Sequence, residues 1–243
     1  MRTLGIVQAR MGSSRLPGKV LRRLGRQSVL ARVVDAARRG GVLDDLVVAT
    51  TVEPADDAVV AECEAIGVAW YRGPVDDVLT RFVGALRARG GADAVMRFTA
   101  DCPLLDPAIV ALAARVLAAA PDVDYLSTSI TRTLPRGLDV EIVRTAALHA
   151  ADELASGHHR VHVTSFLYSH PQMFRVLGLT VLPDHSDLRL TLDTEDDWEL
   201  IAAVVAHLGD EPVPLARLAG WLAERPELRR LNAHIRQKAL VQG

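Results

Sequence analysis

Short apolar runs at residues 4–7, 46–50, 68–71 and 94–98 each lead through a polar stretch into a segment of helical periodicity. Runs this short read as buried strands, and apolar residues spaced by three and four read as helices. The spacing predicts helices over 28–39, 54–66, 76–89 and 107–119, with Ser28 capping the first and Asp106 the last. Gly40 and Gly41 end the first, and Gly90 and Gly91 end the third. Strands alternating with helices over 120 residues predict an α/β fold, a mostly parallel sheet covered on both faces. Ligands of such sheets bind at loops leaving the strand C-terminal ends. The loops 8–19 and 99–106 both leave strands there and are expected to share one site.

The second half is less regular. Strands are expected over 124–127, 137–142 and 188–192, and helices over 145–154, 195–208, 212–225 and 227–240. Residues 162–168 mix β-branched and aromatic side chains and stay ambiguous. With 243 residues, 49% of them hydrophobic, the chain can bury one sizeable core. A formal charge of −2 argues against a general nucleic-acid binder. Cys63 and Cys102 form no CxxC pair, so neither a disulfide scaffold nor a thiolate zinc site is expected; both read as packed thiols. The opening residues lack the apolar segment of a signal peptide. No run approaches the roughly 18 apolar residues of a membrane helix. A cytoplasmic location without a membrane partner is the expectation.

The richest local feature is QARMGSSRLPGK at 8–19. Arg10, Arg15 and Lys19 bring cations of two geometries, the planar fork of Arg and the mobile point charge of Lys. Gly12 and Gly18 can expose backbone N–H groups, beside the hydroxyls of Ser13 and Ser14. Five residues separate the two glycines and Val20 follows Lys19, so this is not a Walker A loop, nor is it a GxGxxG turn. Two readings remain, a phosphate-binding loop or a cationic surface turn, and the position after the first strand favours the first.

Asp101 follows the strand at 94–98, and Asp193 ends the segment 188–192. Carboxylates at a sheet edge can hold Mg²⁺ bridged to substrate phosphates; each is equally an ordinary loop acid when read alone. Glu195, Asp196 and Asp197 suit the positive end of the helix they begin. His158, His159 and His162 lack the HExxH pattern and read as hydrogen-bonding, surface or interface residues. Trp198 and Trp221 read as core or dimer contacts, and a homodimer is compatible with the pattern.

QARMGSSRLPGK at 8–19, VVAT at 47–50, YRGPVDDVLTRF at 71–82, RFTADCPL at 97–104, LPRGLDVE at 134–141 and LRLTLDTEDD at 188–197 together resemble the cytidylyltransferase family. The resemblance is closest to its spore-coat polysaccharide biosynthesis branch, related to enzymes that activate acidic sugars as CMP-sugars. It implies a Rossmann-like nucleotidyltransferase fold with a smaller acceptor or dimerisation lobe. A boundary near 120–125 is one reading, but no flexible linker marks it, so one domain over 1–243 is expected: a nucleotide-binding core at 1–120, an acceptor lobe with returning core elements at 121–210, and C-terminal helices at 211–243. CTP is the implied donor and a sugar-like molecule the implied acceptor. Ala9, Arg10, Gly12, Ser13, Arg15, Lys19, Arg72 and Asp101 are then expected around the nucleotide. Asp101 and Asp193 become the expected Mg²⁺ ligands, with Arg72, Asp77 and Arg81 drawn towards the rim. Arg10, Arg15, Lys19, Asp101 and Asp193 form the implied catalytic set, and Arg136, Asp139, Glu141 and His162 the implied acceptor set.

The chain departs from the family pattern at Ala100, where Gly is more frequent, at Thr128, where Asn is usual, and at Val161, where Glu is favoured. The last two alter polar capacity on the acceptor side. The leading expectation is CMP transfer from CTP to a sugar or sugar-like acid, releasing pyrophosphate. The alternatives are transfer from another NTP to a sugar phosphate, a nucleotide-sugar-dependent glycosyltransferase, and a noncatalytic binding protein.

Overall fold

The computed structural model describes residues 1–236. The strands are β1 (Thr3–Gln8), the short pair β2 (Arg23–Leu24) and β3 (Gln27–Ser28), β4 (Asp45–Thr51), β5 (Ala69–Gly73), β6 (Ala94–Thr99), β7 (Tyr125–Ser127), β8 (Glu141–Arg144) and β9 (Val176–Gly178). Seven of them form one sheet in the order β5-β4-β1-β6-β8-β7-β9. β5, β4, β1 and β6 are parallel, β8 runs against both β6 and β7, and β9 is parallel to β7.

The helices are α1 (Val29–Arg39), α2 (Asp57–Ala65), α3 (Val78–Ala88), α4 (Pro107–Ala119), α5 (Thr145–Leu154), α6 (His158–Val161), α7 (Ser165–Ser169), α8 (Glu195–Leu208), α9 (Leu215–Ala223) and α10 (Pro226–Leu231). Ser28 caps α1, accepting from the Ala31 N–H at 3.0 Å. Asp106 caps α4, accepting from the Ala108 N–H at 2.8 Å. Among the described residues no helix is long and apolar enough to cross a membrane.

Two hydrophobic clusters divide the sheet by its pleat. Val7, Val48, Met96, Leu126 and Ile142 face one cluster, with α1, α2, α4, α8 and α9. Ile6, Val47, Val95, Tyr125 and Val143 face the other, with α3, α5 and α7. Neighbouring strand residues point to opposite faces, and both faces are buried, so the strands read as continuous apolar runs.

The irregular half departs from expectation in places. Residues 188–192 are extended but form no sheet strand; a single parallel bridge, Arg136 to Arg189, ties them to the chain beside them. Leu188, Leu190 and Leu192 are buried in the first cluster, and Arg189 and Thr191 between them are buried as well, so the segment is enclosed on both sides without a ladder. The strand expected over 137–142 begins only at Glu141. Gly137 stands at φ +103°, and a Cβ on it would collide with the Leu190 carbonyl, so the chain turns there instead of joining the sheet. The ambiguous region 162–168 carries α7. The last expected helix ends at Leu231, where Asn232 turns its side chain inward; residues 237–240 of that expectation lie outside the described residues.

Gly137 therefore sets the path that delivers Asp193. Gly137→Ala is expected to cost about 1–3 kcal/mol in denaturant unfolding, from the forced backbone conformation alone. Unchanged unfolding would show that the turn tolerates a side chain.

Candidate active site

β4 and β5 extend the sheet from one side of β1 and β6 from the other. The loops after β1 and β6 consequently rise side by side, with Gln8 paired to Thr99 at the last rung. Such a reversal of strand order opens a crevice at the C-terminal edge.

The loop after β1 is tied down from beneath. The Ala9 N–H prolongs the ladder to the Ala49 carbonyl at 3.2 Å. The Met11 N–H donates to the buried carboxylate of Asp56 at 2.6 Å, whose other oxygen accepts from the Thr51 N–H and hydroxyl. The Met11 carbonyl accepts from the N–H groups of Ser13 and Gly18 at 2.9 and 3.0 Å. Gly18, at φ +68°, adopts a left-handed conformation that glycine takes without steric cost, and the turn sends Lys19 inward. Gly12 is different: a Cβ there would meet nothing within 4 Å.

Lys19 joins the two distant acids. Its ammonium donates to Asp101 and Asp193 at 2.8 Å each and to the Leu192 carbonyl at 2.7 Å. The Leu192 N–H donates to the Asp101 carbonyl at 2.8 Å, which locks residues 188–193 onto the loop after β6. Arg15 reaches Asp193 at 3.0 Å, on the oxygen that also accepts from Arg189 at 2.9 Å. Burial works to lower the Lys19 pKa and to raise that of Asp193. Opposite charge wins at both, so Lys19 stands above the usual lysine value and Asp193 below the usual aspartate value. Arg10 is exposed and makes no ion pair among the described residues.

No group of three or more His, Cys, Asp or Glu side chains among the described residues is placed to hold a metal. Asp101 and Asp193 are nevertheless two hard oxygen donors that one cation already reaches together. Mg²⁺ is commonly held by one or two carboxylates and completes its octahedron with phosphate oxygens and water. The pair therefore fits a divalent ion arriving with a polyphosphate.

Two adjoining cavities, about 240 and 500 Å³, share Arg10, Arg15, Asp101 and Asp193. The smaller lies along the loop after β1 and is lined also by Ala9, Gly12, Ser13 and Lys19. The larger reaches across to Arg136, Asp139, Glu141 and His162. Glu141 accepts from Arg97 and the Thr164 hydroxyl, and from the Tyr125 hydroxyl at 2.7 Å. Burial works to raise its pKa, but Arg97 and the two hydroxyls hold it below the usual carboxylate value. Asp139 accepts from Arg132 at 2.6 Å. Arg136 has no ion pair among the described residues, and burial, then the like charge of Arg132, lower its pKa from the usual arginine value. Val161 lines the larger cavity, whereas Thr128 is buried and spends its hydroxyl on the Val140 N–H at 3.0 Å.

Three residues drawn to the rim lie elsewhere. Arg72 donates to the Thr51 and Glu53 carbonyls and pairs with Asp57 at 2.5 Å, strapping the ends of β4 and β5; it lines neither cavity. Its guanidinium finds partners on its own side of the sheet, which nothing in its sequence neighbourhood reveals. Asp77 caps α3 by accepting from the Thr80 N–H at 2.9 Å, and pairs with Arg160 at 2.9 Å. Arg81 is fully buried, donates to the Pro74 carbonyl at 2.7 Å, and has its pKa lowered to about 10 by burial and by Arg10.

Other site residues gave little warning. Arg97 was missed, although a charge inside an apolar strand is a local oddity that a buried polar partner explains. Asp56, Arg132, Arg189 and Asp197 carried no such mark. Asp197, expected as a first-turn acid, is one, and it is also fully buried. It completes a capping box with Thr194 while gripping Arg189.

A sequence model described as cytidylyltransferase matches residues 4–205. The spore coat polysaccharide biosynthesis protein SpsF of Bacillus subtilis is 32% identical over 92% of this chain and 95% of its own length. A cytidylyltransferase structure from Leptospira borgpetersenii superposes with a TM-score of 0.90 at 27% identity, over 98% of this chain and all of the other. A CMP:2-keto-3-deoxy-manno-octonic acid synthetase complexed with CTP gives a TM-score of 0.68 at 16% identity, over 86% of this chain and 100% of that chain, a likeness of fold. A match spanning most of the chain, joined to this sheet and this cleft, leads to one assignment: the chain belongs to the cytidylyltransferase family.

Proposed function

We infer that the protein transfers CMP from CTP to a sugar-like acid, with Asp101 and Asp193 holding Mg²⁺. The observation that carries this is the convergence of Arg15, Lys19, Asp101 and Asp193 on one cleft beside the loop after β1. Family membership supports CTP as donor. The triphosphate would lie in the smaller cavity, with Arg10, Arg15 and Lys19 on its oxygens, and the acceptor in the larger one.

An acceptor oxygen attacks the α-phosphorus in line, the bond to the bridging oxygen breaks, and pyrophosphate leaves. Mg²⁺, when bound, neutralises polyphosphate charge. The chain's own cations stabilise the charge that grows on the departing oxygens, in a setting arranged before reaction. Glu141 and Asp139 already accept from neighbouring donors and shape the acceptor wall. Arg136, with no carboxylate partner among the described residues, is the natural seat for an anionic group of the acceptor. The names of similar proteins, one of polysaccharide biosynthesis and one a synthetase of a CMP-linked octonic acid, support a sugar acid.

Mass spectrometry of reactions with Mg²⁺, CTP and a panel of sugar acids and sugar phosphates tests this. The expected product is an acceptor carrying CMP, with pyrophosphate released and little product from other NTPs. Preference for another NTP, or for an intact nucleotide sugar, would overturn it. Arg136→Ala is expected to raise the acceptor KM about 10–100-fold, the worth of a charged hydrogen bond, with the CTP KM unchanged. An unaltered acceptor KM removes Arg136 from acceptor binding.

A further inference from the structure

Three cations meet the Asp193 carboxylate, and Arg189 alone among them lines neither of the two cavities. Lys19 and Arg15 are the groups a triphosphate would draw away. Arg189 is the contact that stays, so it governs where the carboxylate points.

Arg189 is itself held. Its Nε and Nη2 donate to the two oxygens of Asp197 at 2.8 and 3.0 Å. The same Asp197 accepts from the backbone N–H groups of Asp193 and Thr194 at 2.9 and 3.0 Å. One buried carboxylate thus grips both the backbone of Asp193 and the guanidinium on its side chain. The last member comes from the far end of the described chain. Asn232, 2% exposed and just past α10, donates from its amide to Asp197 Oδ1 at 2.8 Å and to the Arg189 carbonyl at 2.9 Å. Both donors of the amide go to this network, one to each residue that orients Asp193. Asn232 also lies beyond residue 205, where the family match ends.

We propose that Asn232 is a positioning residue for Asp193, acting through Asp197 and Arg189 to aim the carboxylate at the cation and the triphosphate. The role rests on the reading that Asp193 holds the metal. It makes the C-terminal helices a working support of the catalytic centre. Residues that orient metal ligands typically change metal affinity or activity 10–100-fold when removed.

The test is Mn²⁺ uptake by the full chain, titrated by electron paramagnetic resonance with and without saturating CTP. CTP binding without metal and thermal unfolding are followed alongside. Asn232→Ala is expected to weaken Mn²⁺ uptake in the presence of CTP about tenfold, with metal-free CTP affinity within about twofold of wild type. In an Asp193→Ala background the same substitution is expected to cause no further loss, because both act on one ligand. If Asn232→Ala does not fold at the assay temperature, Asn232→Ser, which keeps a hydroxyl donor, carries the same comparison with a smaller loss. A lowered melting temperature with unchanged Mn²⁺ uptake overturns the positioning role, as does a full further loss in the Asp193→Ala background. If wild type takes up no more Mn²⁺ with CTP than Asp193→Ala does, the metal reading of the site fails, and the positioning role with it.

Discussion

Asp101→Ala lowers turnover about 10³-fold at saturating CTP and Mg²⁺, equivalent to about 4 kcal/mol of transition-state stabilisation. The expectation follows from where the carboxylate sits. It leaves the end of β6 at the rim shared by both cavities, and its partner Lys19 also serves Asp193. Its side chain is 26% exposed, and Lys19 keeps two acceptors without it, so the fold should survive. Steady-state pyrophosphate release, with a melting curve on the same preparation, separates the two effects. Asp101→Asn keeps the volume and should fall in the same direction, because the loss is one of charge. Normal turnover in either variant removes Asp101 from the metal site.

Lys19→Met is expected to damage both stability and activity. The side chain is 10% exposed and its ammonium stands between two carboxylates. Without it, Asp101 and Asp193 face each other with Arg15 and Arg189 compensating only the second. Breaking a buried ion pair costs about 3–5 kcal/mol, and the partial exposure of Asp101 points to the lower end. For a chain of this size about 3 kcal/mol corresponds to a fall of roughly 6–12 °C in Tm. Millimolar Mg²⁺ should then raise the Tm of the variant more than that of wild type, since a divalent ion can replace the missing charge. Calorimetry with and without Mg²⁺ reads this directly. An unchanged Tm would mean that the ammonium does not hold the two acids together, and an equal Mg²⁺ response in both proteins would place the ion elsewhere.

Both expectations depend on a contact between residues far apart in the chain, and this marks what could be read in advance. The early cationic loop was visible as a concentration of Arg, Ser, Gly and Lys behind the first strand. The acid after β6 was visible as a carboxylate at a strand end. Residues 188–192 read as a strand, but their alternation of apolar and polar side chains suits a sheet strand or a strap packed against the core. Only Gly137, pressed on Leu190, and the single bridge from Arg136 to Arg189 distinguish them. Arg72 and Arg97 illustrate the same limit. Each is an arginine on a strand, yet Arg72 finds carbonyls and Asp57 away from the cleft, while Arg97 meets Glu141 on the cleft floor.

Local pattern determined the four parallel strands and four main helices of the first 120 residues, though not the short pair β2 and β3, together with the caps at Ser28 and Asp106 and the two loops that leave neighbouring strands. Those features depend on interactions a few residues long, on periodic burial and on backbone groups that a nearby side chain can satisfy. Tertiary structure alone decided that Lys19 would clasp Asp193, that Asp197 would be buried against Arg189, and that Asn232 would reach back to both Asp197 and Arg189. A charged side chain has no preferred distant partner in its own sequence neighbourhood. Its partner is chosen by which loops the sheet order brings together, and by the cost of leaving a buried charge uncompensated.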